Sequence, residues 1–320
     1  MLQVGDIVGE KYKIIKKIAR GGMSTVWLAN HEKLNMTVAI KEFQRTGMKS
    51  TREALRREIN VLKNLAHPGL PMILDLIDTY DMLLLVMTYV EGESLERLLK
   101  RQGAQSQEHV INWGKQLCDI LGYLHSRTPP IIYTDIKPAN IILRSDGQLV
   151  LIDFGTALKY KLDEPLGLTV IYAAPELHNM GKQIDVRADI YSLGVTLYQL
   201  VTGETPTESH VCKHIRQSNP ALSVVLEQVI ETCTQRDPDQ RFQSVNELKY
   251  ALDTLYLKDN SLIVRRIRTF WNSRKIKKMA SCTECGRDTS ISHVTEDPDM
   301  IRYNAEQLSY VQSDMENTEL

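Results

Sequence analysis

Through the first ninety residues, apolar and polar positions alternate in short runs separated by turn residues. YKIIKKIA, STVWLAN and MTVAIKEF are rich in Val, Ile, Tyr and Thr, the composition of half-buried strands, and predict a strand-rich first unit. Residues 51 to 65, TREALRREINVLKNL, break that pattern: Leu55, Ile59 and Leu62 fall four and three apart with charges between them. That spacing predicts a helix with one apolar face, stopped by the proline and glycine of HPGLP. From about residue 94 the period lengthens. SLERLLKRQ, EHVINWGKQLCDILGYLHS and ADIYSLGVTLYQLVTG carry helical spacing, broken by short apolar runs around IIYTD and LVLID, so the second unit is expected to be mainly helical. Past LKYALDTLYLKDN, near residue 260, the apolar period weakens into a basic stretch and then an acidic tail bearing Ser and Thr, which marks a domain end.

Composition narrows the partners. The chain has 320 residues, 42% hydrophobic and 25% charged, with a formal net charge of -1, so no bulk attraction to nucleic acid is expected. No apolar run approaches the ~18 to 20 residues of a membrane span, and the first residues lack the layout of a signal peptide. A cytoplasmic location is expected. The five cysteines, 118, 212, 233, 282 and 285, form an odd, scattered set that suits a reducing compartment better than a disulfide framework.

Several short motifs carry chemistry. Gly21 and Gly22 separate two strand-like runs and read as a hairpin whose bare backbone can approach a ligand. VAIK ends a strand on Lys41, and Glu58 follows seventeen residues later on the amphipathic helix. A helix packed on the sheet brings that carboxylate to the ammonium and holds the lysine for phosphate contact. Downstream, Asp135, Lys137 and Asn140 share one loop, and Asp153 opens DFG after the apolar run LVLI. The oxygens of Asn140 and Asp153 suit Mg²⁺.

In that order, VAIK, a helix glutamate, Asp-x-Lys-Pro-x-Asn, DFG and APE resemble the protein-kinase signature set over roughly residues 8 to 257. The wording of KYKIIKKIARGGMSTVWLA, YTDIKPAN and IYAAPE is similar to bacterial Hanks-type serine/threonine kinases. The resemblance implies an α+β, bilobal fold, with a strand-rich lobe over 8–87 and a helical lobe over 88–257; the residues beyond, 258–320, read by composition as a basic helix and an acidic tail. The resemblance also implies ATP with Mg²⁺ or Mn²⁺ as cofactors, and protein Ser/Thr hydroxyls as substrates, the chain's own among them. Asp135 would orient the attacking hydroxyl and Lys137 would neutralise charge on the transferred group; Asn140 and Asp153 would hold the metal, and Lys41, braced by Glu58, would fix the α/β-phosphates. Val26 and Ala39 would sandwich the adenine, with Met87 as gatekeeper and the backbone of Thr88 and Val90 at its edge. Asp189 would anchor the catalytic loop, Arg241 would pair with Glu176 of APE, and Thr169 would line the substrate site.

The chain departs from the family at two places. The phosphate loop has Ala19, Gly21 and Ser24 where Gly-x-Gly-x-x-Gly is usual. Tyr133-Thr134-Asp135 stands where regulated kinases carry His-Arg-Asp, so the arginine that receives an activation-segment phosphate is missing. Between Ala157 and Leu168 the only hydroxyl is Tyr160. Absent receptor and near-absent donor agree, and activity independent of phosphorylation in this segment is expected. The alternative is a pseudokinase that binds nucleotide or partners without catalysis, a reading that the altered glycine loop favours.

Beyond the kinase-like region, residues 262 to 278 hold seven Lys and Arg and no acid, with Ile263, Ile267, Phe270 and Trp271 at helical spacing. They read either as a helix docked on the preceding unit or as a peripheral membrane contact. Cys282, Cys285 and His293 offer three soft ligands where a closed zinc site needs four; a homodimer supplying a second Cys pair would complete it.

Overall fold

The computed structural model describes residues 2–20, 24–43, 59, 62–79, 83–153, 171–178, 184–206 and 214–255, all within one compact unit, Met1–Val264. Its first part is a six-stranded antiparallel sheet in the order β1-β2-β3-β4-β6-β5. The strands are β1 (Ile7–Val8), β2 (Tyr12–Arg20), β3 (Ser24–His31), β4 (Met36–Phe43), β5 (Ile73–Asp78) and β6 (Leu83–Thr88).

Period-two alternation decides what each face of this sheet meets. The register pairs Trp27 with Ile40 and Ala29 with Val38, and Ile40 with Val86. These side chains share one face and pack with Tyr12, Ile14 and Leu84 into a single buried apolar cluster. Full burial of such a side chain stabilises by roughly 1.5–3 kcal/mol, so a one-residue slip would expose the whole set. The opposite face carries Val26, Lys41 and Leu85 in one row and Leu28, Ala39 and Met87 in the next.

Among the described residues from 88 onward, the α-helices are α1 (Leu95–Gln102), α2 (Gln107–His125), α3 (Arg187–Thr202), α4 (Ile215–Ser218), α5 (Val224–Cys233) and α6 (Val245–Thr254). Serine side chains start four of them: Ser94, Ser106, Ser223 and Ser244 accept backbone N–H groups of the first turn, satisfying donors that the helix itself cannot. Helix α3 is buried along its length from Ala188 to Val201, its polar residues Asp189, Ser192, Thr196 and Gln199 included. It ends at Gly203, whose left-handed φ of 74° suits a residue without Cβ. Gly194 lets α3 approach α5: a Cβ there would lie 2.3 Å from Cys233 Cβ.

One large apolar cluster joins α2, α3, α5 and α6 through Leu117, Leu121, Leu197, Leu226 and Leu248. It also contains Leu83 and Leu85 from the first sheet, so the two halves share apolar contact. Ile59 and Leu62, from the expected amphipathic helix, are buried in the same cluster. A second sheet of β7 (Glu93–Ser94), β8 (Ile141–Leu143) and β9 (Leu149–Leu151) ties the connection after β6 to the two strands that follow the DIKPAN loop. Among the described residues, no helix is long and apolar enough to cross a membrane.

Candidate active site

The segment from Ile131 to Lys137 has no regular secondary structure and closes with a 3-10 turn at Pro138–Asn140. Its shape is imposed from below. The Asp189 carboxylate, wholly buried in the first turn of α3, accepts the backbone N–H of Tyr133 at 2.9 Å and that of Thr134 at 2.7 Å. His125 Nε2 meets the same carboxylate at 2.8 Å. Two further α3 contacts act alongside: Thr196 Oγ1 donates to the carbonyl of Ile136, and Ser192 Oγ to that of Tyr172. Held this way, Thr134 takes a φ of +64°, a conformation that costs a residue with Cβ on the order of 1–2 kcal/mol.

Directly after this strained residue stands Asp135. Both its carboxylate oxygens accept from Lys137 Nζ, at 2.9 and 2.7 Å. Asn140 Nδ2 donates to Asp135 Oδ2 at 2.8 Å and to its carbonyl at 3.0 Å. Burial raises the pKa of Asp135, and the nearby charge of Asp153 adds to that, while Lys137 and Asn140 act in the opposite direction. The site therefore holds a carboxylate more basic than an exposed one, next to the cation that stabilises its ionised form.

Asp153 is fixed to the same loop through the backbone. Its N–H donates to the Tyr133 hydroxyl at 3.1 Å, and the preceding N–H of Ile152 donates to the Asn140 carbonyl at 3.0 Å. Burial holds the Tyr133 phenol well above its ordinary pKa, so it remains a hydroxyl at any working pH. Across the cleft, Lys41 Nζ contacts Asp153 Oδ1 at 2.5 Å. The ammonium is almost fully buried while the carboxylate stays partly exposed.

These positions suit a hard divalent cation. The amide nitrogen of Asn140 is committed to Asp135, so the atom it has for a metal is its carbonyl oxygen, and Asp153 contributes a carboxylate; oxygen ligands of this kind suit Mg²⁺. Asp135 and Asp153 lie near enough for the charge of one to raise the pKa of the other, a repulsion that a cation between phosphate and protein would offset.

The sheet register puts the other expected residues on the face that carries Lys41. Val26 pairs with Lys41 and Ala39 with Met87, Ala19 pairs with Val26, and Ser24 lies two residues before Val26. Val90 follows β6 in the connection to β7. At Thr88 the N–H donates to the Met72 carbonyl at 2.9 Å, and the hydroxyl accepts from Met72 N–H at 3.0 Å. Thr88 therefore has no backbone donor to give a ligand. Lys41 is paired with Asp153, whereas the expected partner Glu58 lies outside the described residues, as do Gly21, Gly22, Tyr160 and Thr169. Arg241 and Glu176 form a buried bidentate pair at 2.6 and 2.8 Å. Sequence reasoning missed His125 and the hydroxyl of Tyr133; the signal for His125 is a polar residue on the apolar stripe of Leu117, Leu121 and Leu124.

A model of the protein kinase domain matches residues 12–257. The chain belongs to the protein kinase family. A probable serine/threonine-protein kinase of Clostridium perfringens is 31% identical over 265 residues, 77% of this chain and 38% of the relative. Serine/threonine-protein kinase PrkC of Bacillus subtilis is 29% identical over 273 residues, covering 79% and 42%. The chain thus spans about two fifths of the length of the curated relatives it matches. Among solved structures, the kinase domain of Mycobacterium tuberculosis PknI superposes with a TM-score of 0.65 at 25% identity, covering 79% of this chain and 99% of that one.

Proposed function

We infer that this kinase-family chain transfers the γ-phosphoryl group of ATP to serine or threonine hydroxyls of proteins, itself included. The observation that carries this reading is the convergence of two bonded groups, Asp135 with Lys137 and Asn140, and Lys41 with Asp153, joined by the Ile152 N–H on the Asn140 carbonyl. Asn140 and Asp153 would hold Mg²⁺, which supplies neutralisation of phosphate charge when bound. Lys41 would shift from Asp153 toward the phosphates. Asp135 would accept the hydrogen bond of the substrate hydroxyl and orient its oxygen in line, and Lys137, already at Asp135, would offset charge on the group in transfer. Val26, Ala39 and Met87 would contact the adenine, and the donor offered to its edge is the Val90 N–H.

The reading includes independence from activation-segment phosphorylation. Thr134, fixed by Asp189 and itself donating through Oγ1 to the Tyr133 carbonyl, has no guanidinium to receive a phosphate. The test is incubation with γ-labelled ATP, Mg²⁺ and a general protein acceptor, comparing the chain with Asp135→Asn. Label in the wild type that falls by two or more orders of magnitude in the variant supports the reading. Equal label in both identifies a contaminant, and none in either favours the nucleotide-binding scaffold that Ala19 and Ser24 of the phosphate loop suggest. Phosphatase treatment that removes most activity, with Thr156 and Thr169 unmodified throughout, would sink the claim of independence.

A further inference from the structure

A second cluster of ligand-type side chains lies away from the cleft. Glu227 and Glu231 stand four apart on α5, one turn from each other on the same face, and His214 immediately precedes α4. His214 Nδ1 lies 2.6 Å from Glu231 Oε1 and 4.0 Å from Glu227 Oε1. One ligand atom from each of the three residues falls within 4.8 Å of the other two. We propose that His214, Glu227 and Glu231 form a binding site for one divalent transition-metal ion of the zinc class, which ties the start of α4 to α5.

Three observations support a metal site over a simple ion pair. A His–Glu pair needs one carboxylate, and here a second, that of Glu227, stands 4.0 Å from the same imidazole nitrogen. Glu227 is largely buried, and its Oε1 accepts the backbone N–H of Arg216 at 3.1 Å, so it is held in place as metal-binding carboxylates are by their outer partners. The separations also fit. Ligand atoms about 2.0–2.2 Å from a tetrahedral ion lie roughly 3.3–3.6 Å apart, so the present 2.6 and 4.0 Å bracket that geometry and small rotamer changes reach it.

The donor set selects the ion class. An imidazole with two carboxylates suits Zn²⁺ and its neighbours, whereas Mg²⁺ favours oxygen ligands and retained waters. The sequence beside His214, HVCKH, holds two more residues of ligand type, His210 and Cys212; both lie outside the described residues, and the site is defined without them. A metal here would act on the packing of α4 and α5, separately from the Mg²⁺ expected in the cleft.

The test is calorimetric titration of the chelator-treated full chain with Zn²⁺, and again in the presence of excess Mg²⁺, for the wild type, His214→Asn, Glu231→Gln, and a Cys282→Ser/Cys285→Ser variant. The expected result is one Zn²⁺ per chain, unaffected by Mg²⁺, weakened on the order of tenfold or more by His214→Asn and by Glu231→Gln, and unchanged by the cysteine substitutions. Both single changes are at partly exposed positions, and metal-free melting curves matching the wild type confirm that they fold. The proposal is overturned if no saturable binding occurs, if Mg²⁺ competes equally, or if the ion is lost with Cys282 and Cys285 while His214→Asn leaves affinity intact.

Discussion

Replacing Asp189 by asparagine tests how the catalytic loop is held, because the change keeps shape and removes charge. The carboxylate serves three donors: Oδ2 takes Tyr133 N–H and His125 Nε2, and Oδ1 takes Thr134 N–H. Asparagine has one acceptor oxygen and one NH₂. If the oxygen sits at the Oδ1 position, Tyr133 N–H faces an NH₂; if it sits at Oδ2, Thr134 N–H does. His125 can adapt by changing tautomer, but a backbone N–H cannot. One buried N–H is therefore orphaned in either orientation, at about 1–3 kcal/mol, and the surviving bonds lose the charge that made them worth about 1.5–3 kcal/mol each. A net loss of about 2–4 kcal/mol in urea unfolding is expected. Activity should fall further than stability explains, since Thr134 at φ +64° relaxes once its clamp weakens and carries Asp135 with it. A drop in kcat of roughly a hundredfold, near 2.7 kcal/mol of barrier, is expected. Adding Thr134→Gly, which takes a positive φ without penalty, should restore part of kcat without restoring stability. Stability within about 0.5 kcal/mol of wild type, the range of neutral substitutions, together with kcat unchanged, would refute the clamp.

Other consequences follow from packing and charge. Arg241→Met strands the buried carboxylate of Glu176 and the carbonyls of Gln235 and Arg187 that the guanidinium serves; chemical denaturation should show about 3–5 kcal/mol lost, with Glu176→Leu in the same chain recovering much of it. Gly194→Ala should destabilise by about 1–3 kcal/mol, because its Cβ meets Cys233 Cβ. Gly122→Ala in α2, where the new Cβ finds only ordinary contacts at 3.6 Å, should stabilise by about 0.5–1 kcal/mol; equal effects at the two sites would contradict the packing described. Burial lowers the pKa of His67, whose Nδ1 accepts the Gly69 N–H at 3.0 Å. A folded value below the unfolded one means that the fold prefers neutral imidazole, so its contribution is complete above the unfolded pKa and fades as pH falls from about 7 toward 5. Melting temperatures of wild type and His67→Gln should diverge least at the acid end of that window; a gap that widens there would reverse the sign.

Much of this fold was legible because its signals are local. The strand runs of β2, β3 and β4 and the helical spacing of α2 and α3 are properties of ten to twenty consecutive residues, and they appear where the periodicity put them. The pairs Arg241–Glu176 and Asp189 with the catalytic loop came from motif resemblance, since neither 65 nor 56 residues of separation leaves a trace in periodicity. What resisted reading is geometry at single atoms. Nothing in YTD says that Tyr133 lends its hydroxyl to Asp153 N–H, because a buried tyrosine is first a large apolar side chain. LLLVMT reads as an uninterrupted apolar run; only the ladder shows that Leu84 and Val86 go to one core while Leu85 and Met87 face the other way. The Thr88 N–H meets the carbonyl of Met72 sixteen residues away, in a segment with no pattern of its own to foretell the pairing.

The contact between Lys41 and Asp153 makes ligand entry an exchange. Among the described residues, Lys41 and Asp153 neutralise one another, as do Lys137 and Asp135, so these four charges are already satisfied within the protein. Binding must then break one ion pair to form others, and the net affinity is a difference between two satisfied states. Under the proposed activity, the same pair would re-form as product leaves and would favour its release.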